Sequence, residues 1–324
     1  MLIKRRWVIY FIMIFWGVFL MSNFLIGEVL AAEYPTRPIQ IIVPWSTGDT
    51  DLVARFLGSV LAKALGQPAV ILNKPGSQGI IGMDFVFRAR PDAYTLLVNG
   101  PAYLIVPKIQ KTAFAVDDFI PLALISTLKG VVVVRKDAPW GNLTELIAYA
   151  KKYPGTLNFG STGRGAYPNV KWEMIKNQTG IEVATIPYQG NAGVMMALLG
   201  GHIDIALSEI GSVVPYAKVG TLKILAISDK DKQFPGISTF AEQGISGDFN
   251  NWKGLFGRKD IPPERVKILE EACKKALNDP SYIEGLKTVE SAPGSLVGDS
   301  FRKFIKEENI AVTKIVEKIL TTKE

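Results

Sequence analysis

Apolar runs of strand length alternate with amphipathic runs of helical length along most of this chain, and part-way through the alternation starts over. The first series places strands at 39–43, 69–72 and 94–98 and helices at 52–65 and 82–90, the signature of a parallel sheet with crossover helices. In the first helix Leu52, Phe56 and Val60, with Val53, Leu57, Leu61 and Leu65, form an apolar face at i, i+4 spacing; Thr50 or Asp51 can cap its start, and Gly66 with Pro68 stops it. After a connecting segment at 114–125 the pattern restarts. Strands at 131–134, 156–159, 181–187, 203–207 and 222–227 then alternate with helices at 142–153, 168–176 and 192–199. Asn142 and Glu145 have capping-box spacing, and Pro154-Gly155 ends that helix. At 324 residues the chain suits two lobes, each a small α/β sheet. The loop-rich stretch 234–251 reads as a return crossing, so that the short run 254–257 and the helices at 262–278 and 299–320 pack on the first lobe. The expected division is 33–127 with 254–324 as lobe one and 128–253 as lobe two.

The first 32 residues read as an export signal. Lys4, Arg5 and Arg6 precede an apolar run at 7–26, and Val29 and Ala31 form a small-x-small cleavage pattern followed by Ala32. That pattern favours cleavage and a periplasmic protein; retention of the long apolar run as a membrane anchor is the alternative. The single cysteine, Cys273, lies on the apolar side of a helical pattern and reads as a buried core thiol, so no internal disulfide is expected. The formal net charge is +7, and loss of three basic residues and Glu28 with the leader leaves a mildly basic balance. Lys303, Lys306, Lys314, Lys318 and Lys323 stand opposite an apolar stripe of Phe301, Phe304, Ile305, Val312, Ile315 and Ile319. That is a solvated helix face, not a nucleic-acid stripe, and no nucleic-acid partner is expected.

The catalytic inventory is poor. His202 is the only histidine and sits in a Gly200-Gly201-His202 turn, and no G-x-S-x-G elbow occurs. One His and one Cys cannot complete a common zinc site. Gly163-Arg164-Gly165 begins like a dinucleotide fingerprint, but Pro168 replaces its last glycine, and no P-loop is present. Neither a cofactor nor a metal is expected. What the chain does offer is the tripeptide Ser-Thr-Gly twice, as Ser46-Thr47-Gly48 and Ser161-Thr162-Gly163, each between a strand-like run and a helical one. Such a turn presents free backbone amides and the positive end of a helix dipole to an anion. Three loops, 45–51, 160–169 and 188–191, each follow a strand and would converge on one cleft, as ligand sites do at the carboxyl ends of strands in open α/β sheets.

In this order and spacing, YPTRPIQIIVPWSTG, NKPGSQGIIGMDF with PDAYTLL, ELIAYAKKYPGTLNFGSTGRG, IPYQGNAGVMMALLGGHIDIAL, GTLKILAIS and NNWKGLF resemble the solute receptors of tripartite tricarboxylate transporters, also called the Bug family. The resemblance implies a two-lobed periplasmic-binding-protein fold of type II-like character, with a small carboxylate held in the interlobe cleft and handed to membrane permease subunits. With the catalytic groups missing, no enzyme activity is expected, and a monomer is expected. Carried over, the ligand positions are Ser46, Thr47 and Gly48 in the first loop and Ser161, Thr162, Gly165 and Ala166 in the second, with Tyr188 and Gly190 beside them and Asn99 completing the first-lobe wall. Trp45, Tyr188 and Trp252 are candidate apolar walls. The chain departs from the family where Gly48 is followed directly by Asp49, where Ala166 and Asn169 replace serine and histidine, where Arg164 is added, and where Ser208 stands in place of a common aspartate.

Asp49 either faces solvent or meets an amine on the ligand, and Arg164 meets a second carboxylate or water. A dicarboxylate or aromatic carboxylate is favoured over an amino acid. Two further readings differ in class: an exported enzyme using Asp49 and Asp51 as a general acid and base, and a membrane-tethered sensory module.

Overall fold

Val131 to Val134 are all fully buried, and alternate members belong to different cores: Val132 and Val134 pack with Trp140, Phe159 and Trp172, whereas Val131 and Val133 pack with Val194, Leu198 and Val213. A strand whose two faces both meet helices must be apolar throughout. The computed structural model describes residues 34–162, 166–188 and 190–321. The expected leader or anchor therefore lies outside the described residues, and among those residues no helix is long and apolar enough to cross a membrane.

In chain order the first elements are β1 (Ile39–Val43), α1 (Asp49–Leu65), β2 (Ala69–Asn73), α2 (Ile80–Arg88), β3 (Thr95–Asn99), α3 (Ala102–Ile109) and β4 (Phe119–Leu128). There follow β5 (Gly130–Arg135), α4 (Leu143–Lys152), β6 (Asn158–Ser161), α5 (Tyr167–Thr179), β7 (Ala184–Pro187), α6 (Gly190–Leu199), β8 (Ile205–Glu209), α7 (Ile210–Lys218) and β9 (Leu222–Ile227). The chain closes with β10 (Asn251–Arg258), α8 (Pro263–Leu277), α9 (Pro280–Lys287), β11 (Ala292–Pro293) and α10 (Asp299–Thr321). These strands form two sheets, β11-β4-β10-β3-β1-β2 and β7-β6-β8-β5-β9.

The sheets share one plan. Each has a three-strand parallel block, β2-β1-β3 or β7-β6-β8, followed by one antiparallel strand, β10 or β5, and then a strand antiparallel to that one, β4 or β9. The parallel sheet expected from the strands at 39–43, 69–72 and 94–98 is present as β2-β1-β3, and the antiparallel strands make both sheets mixed. In each, the antiparallel strand arrives from the other half of the chain: β5 follows β4 directly, and β10 returns after β9. The segment 114–125, expected as a connector, is largely the long strand β4. Its Pro121, which masks the strand pattern, sits opposite Phe256 beside a register shift, where a missing ladder N–H is tolerated.

Helix ends follow local chemistry. Gly66 and Gly180 close α1 and α5 in the left-handed conformation, and the Asn142 side chain accepts from the Glu145 amide to cap α4. Helix α1 differs from expectation: it begins at Asp49 after Gly48, with no side-chain cap, so neither Thr50 nor Asp51 plays that part. Leu52, placed on its apolar stripe, is 41% exposed. Cys273 is buried as expected, and burial pushes its thiol up to about 12. The exposed lysines of α10, Lys303, Lys306, Lys314 and Lys318, lie opposite buried Phe301, Ile305, Val312 and Ile315.

The passage between sheets is tight. A Cβ at Gly130 would stand 2.0 Å from the Phe249 carbonyl oxygen, a backbone atom that cannot rotate away. Gly130→Ala is expected to destabilise the protein by about 1–3 kcal/mol, the range for a forced backbone shift, as read from the urea unfolding midpoint.

Candidate functional site

The parallel strands of both sheets point their carboxyl ends at a single cleft of about 1030 Å³. From the first sheet it receives the loop after β1 (Trp45, Ser46, Thr47, Gly48), the start of α1 and Asn99 at the end of β3; from the second come Thr162, Ala166, Tyr167, Asn191 and Glu209. Because β10 runs antiparallel to β3, its first residues lie at the same end, and Asn251, Trp252 and Lys253 join the lining. Asn251 donates to Glu209 at 2.8 Å, linking the two sheets at this point.

The first loop is fixed from behind. Asn73 at the end of β2 donates to the Trp45 carbonyl at 3.0 Å, and Arg55 reaches Asn73 at 3.3 Å while gripping buried Asp51 through both oxygens, at 2.9 and 3.0 Å. Burial raises the Asp51 carboxyl, but hydrogen bonds from Arg55 and Asn73 and the Arg55 charge outweigh it and hold the group below its ordinary value. The first-turn amides of α1 have no carbonyl partner inside the helix and open beside Ser46 and Thr47. On the opposite wall, Ser161 is buried at the end of β6, its carbonyl accepts from the Tyr188 amide at 2.8 Å, and Ala166 precedes α5 with Pro168 in the first turn.

Of the expected ligand positions, Trp45, Ser46, Thr47, Gly48, Asp49, Asn99, Thr162 and Ala166 line the cleft together. Arg164 and Gly165 lie outside the described residues. Ser208 is buried and donates to Asn191 at 3.0 Å, so it meets the cleft through that amide. Tyr188 packs on the core of Val194 and Met195, behind the lining, and Gly190 opens α6 with φ +73°. Trp252 is wholly buried, edge-on to Phe301 and Phe304, and supplies core rather than an aromatic face.

Asp49 has a partner that the sequence reading did not include. It is half-exposed at the cleft and stands 2.7 Å from the ammonium of Lys253, which is 3% exposed. The approach is an ion pair outside hydrogen-bonding geometry, because the Lys253 Nζ has no hydrogen-bond partner. The Asp49 and Asp51 carboxylates therefore answer to different cations, and the acid–base pair of the enzyme reading is not assembled. Lys253 went unread in the sequence because one lysine in an apolar run looks like a surface position; only the reversed direction of β10 brings it here.

A family model described as the tripartite tricarboxylate transporter family receptor matches residues 53–320. The chain belongs to that family. A UPF0065 protein of Bordetella pertussis is 34% identical over 295 residues, spanning 89% of this chain and 91% of the relative. Among solved structures, a ligand-free TctC solute-binding protein from Polaromonas superposes with a TM-score of 0.80 at 30% identity, covering 88% of this chain and 99% of that one. MatC from Rhodopseudomonas palustris with bound malate gives 0.68 at 27%, covering 87% and 100%. Neighbours of this family are periplasmic binding proteins, which agrees with the two-sheet plan and with the receptor reading of the resemblance.

The Asp51–Arg55 pair that braces the first loop makes a pH-dependent prediction. A carboxyl depressed on folding contributes stability that is complete above its unfolded value, about 4, and is lost as pH falls through the lower folded value. Asp51→Asn should cost about 1 kcal/mol at pH 7, discounted because Arg55 is half exposed, and the gap from wild type should close below about pH 4 in urea titrations.

Proposed function

We propose that the protein is an extracytoplasmic receptor that captures a small organic carboxylate in the cleft between its two sheets and delivers it to the membrane subunits of a tripartite tricarboxylate-type transporter. One observation supports this above others: two Ser-Thr loops from different sheets face the same cleft, each running into the N-terminus of a helix. Backbone amides at both loops suit a carboxylate without any catalytic group. Several charge-assisted hydrogen bonds at roughly 1.5–3 kcal/mol each, less the cost of ordering, reach the ~8 kcal/mol of a micromolar site.

On this reading the sheets are the cores of two lobes, 33–127 with 254–324 and 128–253, and closure brings the loops onto the ligand. Ser46, Thr47, Gly48 and Asn99 hold it from one side, and Ser161, Thr162, Gly165 and Ala166 from the other, with Arg164, Tyr188, Gly190 and Ser208 around them. The same reading takes the leader as an export signal to the periplasm and the receptor as a monomer. The malate bound by MatC favours a dicarboxylate over an amino acid.

Mature protein should show a raised melting temperature and altered tryptophan fluorescence with at least one member of a panel of mono-, di- and tricarboxylates, and Trp45→Phe should diminish the fluorescence change. A panel that also includes amino acids and leaves both signals flat would count against the proposal; an amino acid alone giving the shift would move it to the alternative ligand class.

A further inference from the structure

The cleft contains a buried cation that, among the described residues, has one counter-charge, a half-exposed neighbour. Lys253 is 3% exposed, lines the cleft, and has no hydrogen-bond partner for its ammonium; Asp49, 2.7 Å away, has a side chain 50% exposed and lies on the first turn of α1. Nearby, the Asn99 amide nitrogen is also buried and unpartnered, its oxygen being taken by the Gly100 amide at 2.8 Å. Ser126, opposite Lys253 in the β4–β10 register, likewise has a buried hydroxyl with no partner. A buried ammonium is tolerated only when paired and hydrogen-bonded, so Lys253 is paired and yet unsatisfied. Lys253 thus lines the cleft as a buried donor without an acceptor, and the carboxylate paired with it is half-exposed.

We infer that Lys253 is the specificity-determining residue that reads a second anionic group on the ligand, and that Asp49 is its resident counter-ion, displaced when that group arrives. The inference rests on the carboxylate-receptor reading and deepens it: the two Ser-Thr loops hold one carboxylate, and Lys253 selects for a dicarboxylate. Asp49 stands at the N-terminus of α1, where a negative charge is favoured, and it shields the lysine while the cleft is empty. A ligand already fixed at the loops presents its distal carboxylate at high effective concentration, which lets it replace the weakly held, solvent-exposed Asp49. An acid of the same chain length without the second carboxylate cannot make the exchange and leaves the Lys253–Asp49 pair in place. Glu209 and exposed Glu290, the other acidic residues of the lining, are not paired with Lys253; Glu209 accepts from Asn251 and Glu290 from Gln233.

The test compares matched acids by calorimetric titration: succinate with butyrate, glutarate with valerate, and adipate with hexanoate, on wild type, Lys253→Met and Asp49→Asn. Wild type should prefer one diacid over its partner monoacid. Lys253→Met should lower that preference at least tenfold with the monoacid affinity little changed, and Asp49→Asn, which removes the competitor, should tighten the diacid severalfold without tightening the monoacid. A melting curve reports whether each variant is folded; if Lys253→Met is not, the Asp49→Asn ratio decides. Wild-type binding of a carboxylate with a diacid-to-monoacid ratio that neither variant moves overturns the role of Lys253 while leaving the receptor reading intact. Wild type that binds none of these acids but responds to another member of the carboxylate panel overturns the role of Lys253 alone, and a flat response to the whole panel overturns both. Tighter binding of 4-aminobutyrate than of succinate, abolished by Asp49→Asn, also overturns the inference, because Asp49 would then be the reader of a ligand amine.

Discussion

Everything in this molecule depends on two chain crossings lying side by side. β4 passes into β5 through Lys129 alone, and the return into β10 pairs Asn251 with Leu128, so both passages occur within one strand ladder. The Phe249 backbone presses on Gly130, and the Ser228 amide donates to the Gly130 carbonyl at 2.9 Å. Each sheet thereby acquires an antiparallel strand from the opposite half of the chain, and the carboxyl ends of both parallel blocks are held facing one another. The two crossings thereby fix where the cleft lies.

A second link between the two halves is polar. Lys171 on α5, 1% exposed, reaches Glu308 on α10 at 3.1 Å, and the Tyr167 ring lies 5.5 Å beneath its ammonium. Burial raises the Tyr167 hydroxyl well above its ordinary value and raises the Asp248 carboxyl too. A buried ion pair adds little net stability, because desolvation offsets the attraction, yet losing one partner typically costs about 3–5 kcal/mol. Its consequence is geometric: helices belonging to different sheets meet in one register, where an apolar contact would permit sliding. The two halves are thus joined by the ladder of the crossings and by a buried polar contact.

How much of this was legible follows from how local each signal is. The cap of α4 at Asn142, the stop at Gly66 and the stripe of α10 depend on neighbours within four residues, and they stand in the structure as the sequence suggests. The Ser-Thr loops could be found because a strand-to-helix turn is also local, and eight of the fourteen expected ligand positions line one cleft. β4 was missed because Pro121 breaks the strand pattern, and its tolerance depends on a register shift against a strand more than a hundred residues away. Leu52 was read as core because periodicity identifies a face but not what covers it; here the cleft leaves it exposed.

Lys253 marks the limit of such reading, and the reason is topological. Parallel strands bring their carboxyl ends to a ligand, so a search along the sequence looks at residues that follow strands. A strand inserted from the other half runs the opposite way and delivers its beginning instead, so Asn251, Trp252 and Lys253 reach the cleft before the strand is under way. Such a position is buried by the ladder on both sides, which is why a charge placed there is held in one geometry, while the loops that follow the parallel strands supply mostly backbone. On the receptor reading proposed above, the loops keep one grip on a carboxylate while a side chain at the start of the inserted strand varies, and that separation would let one scaffold acquire different selectivities through single substitutions at the crossing.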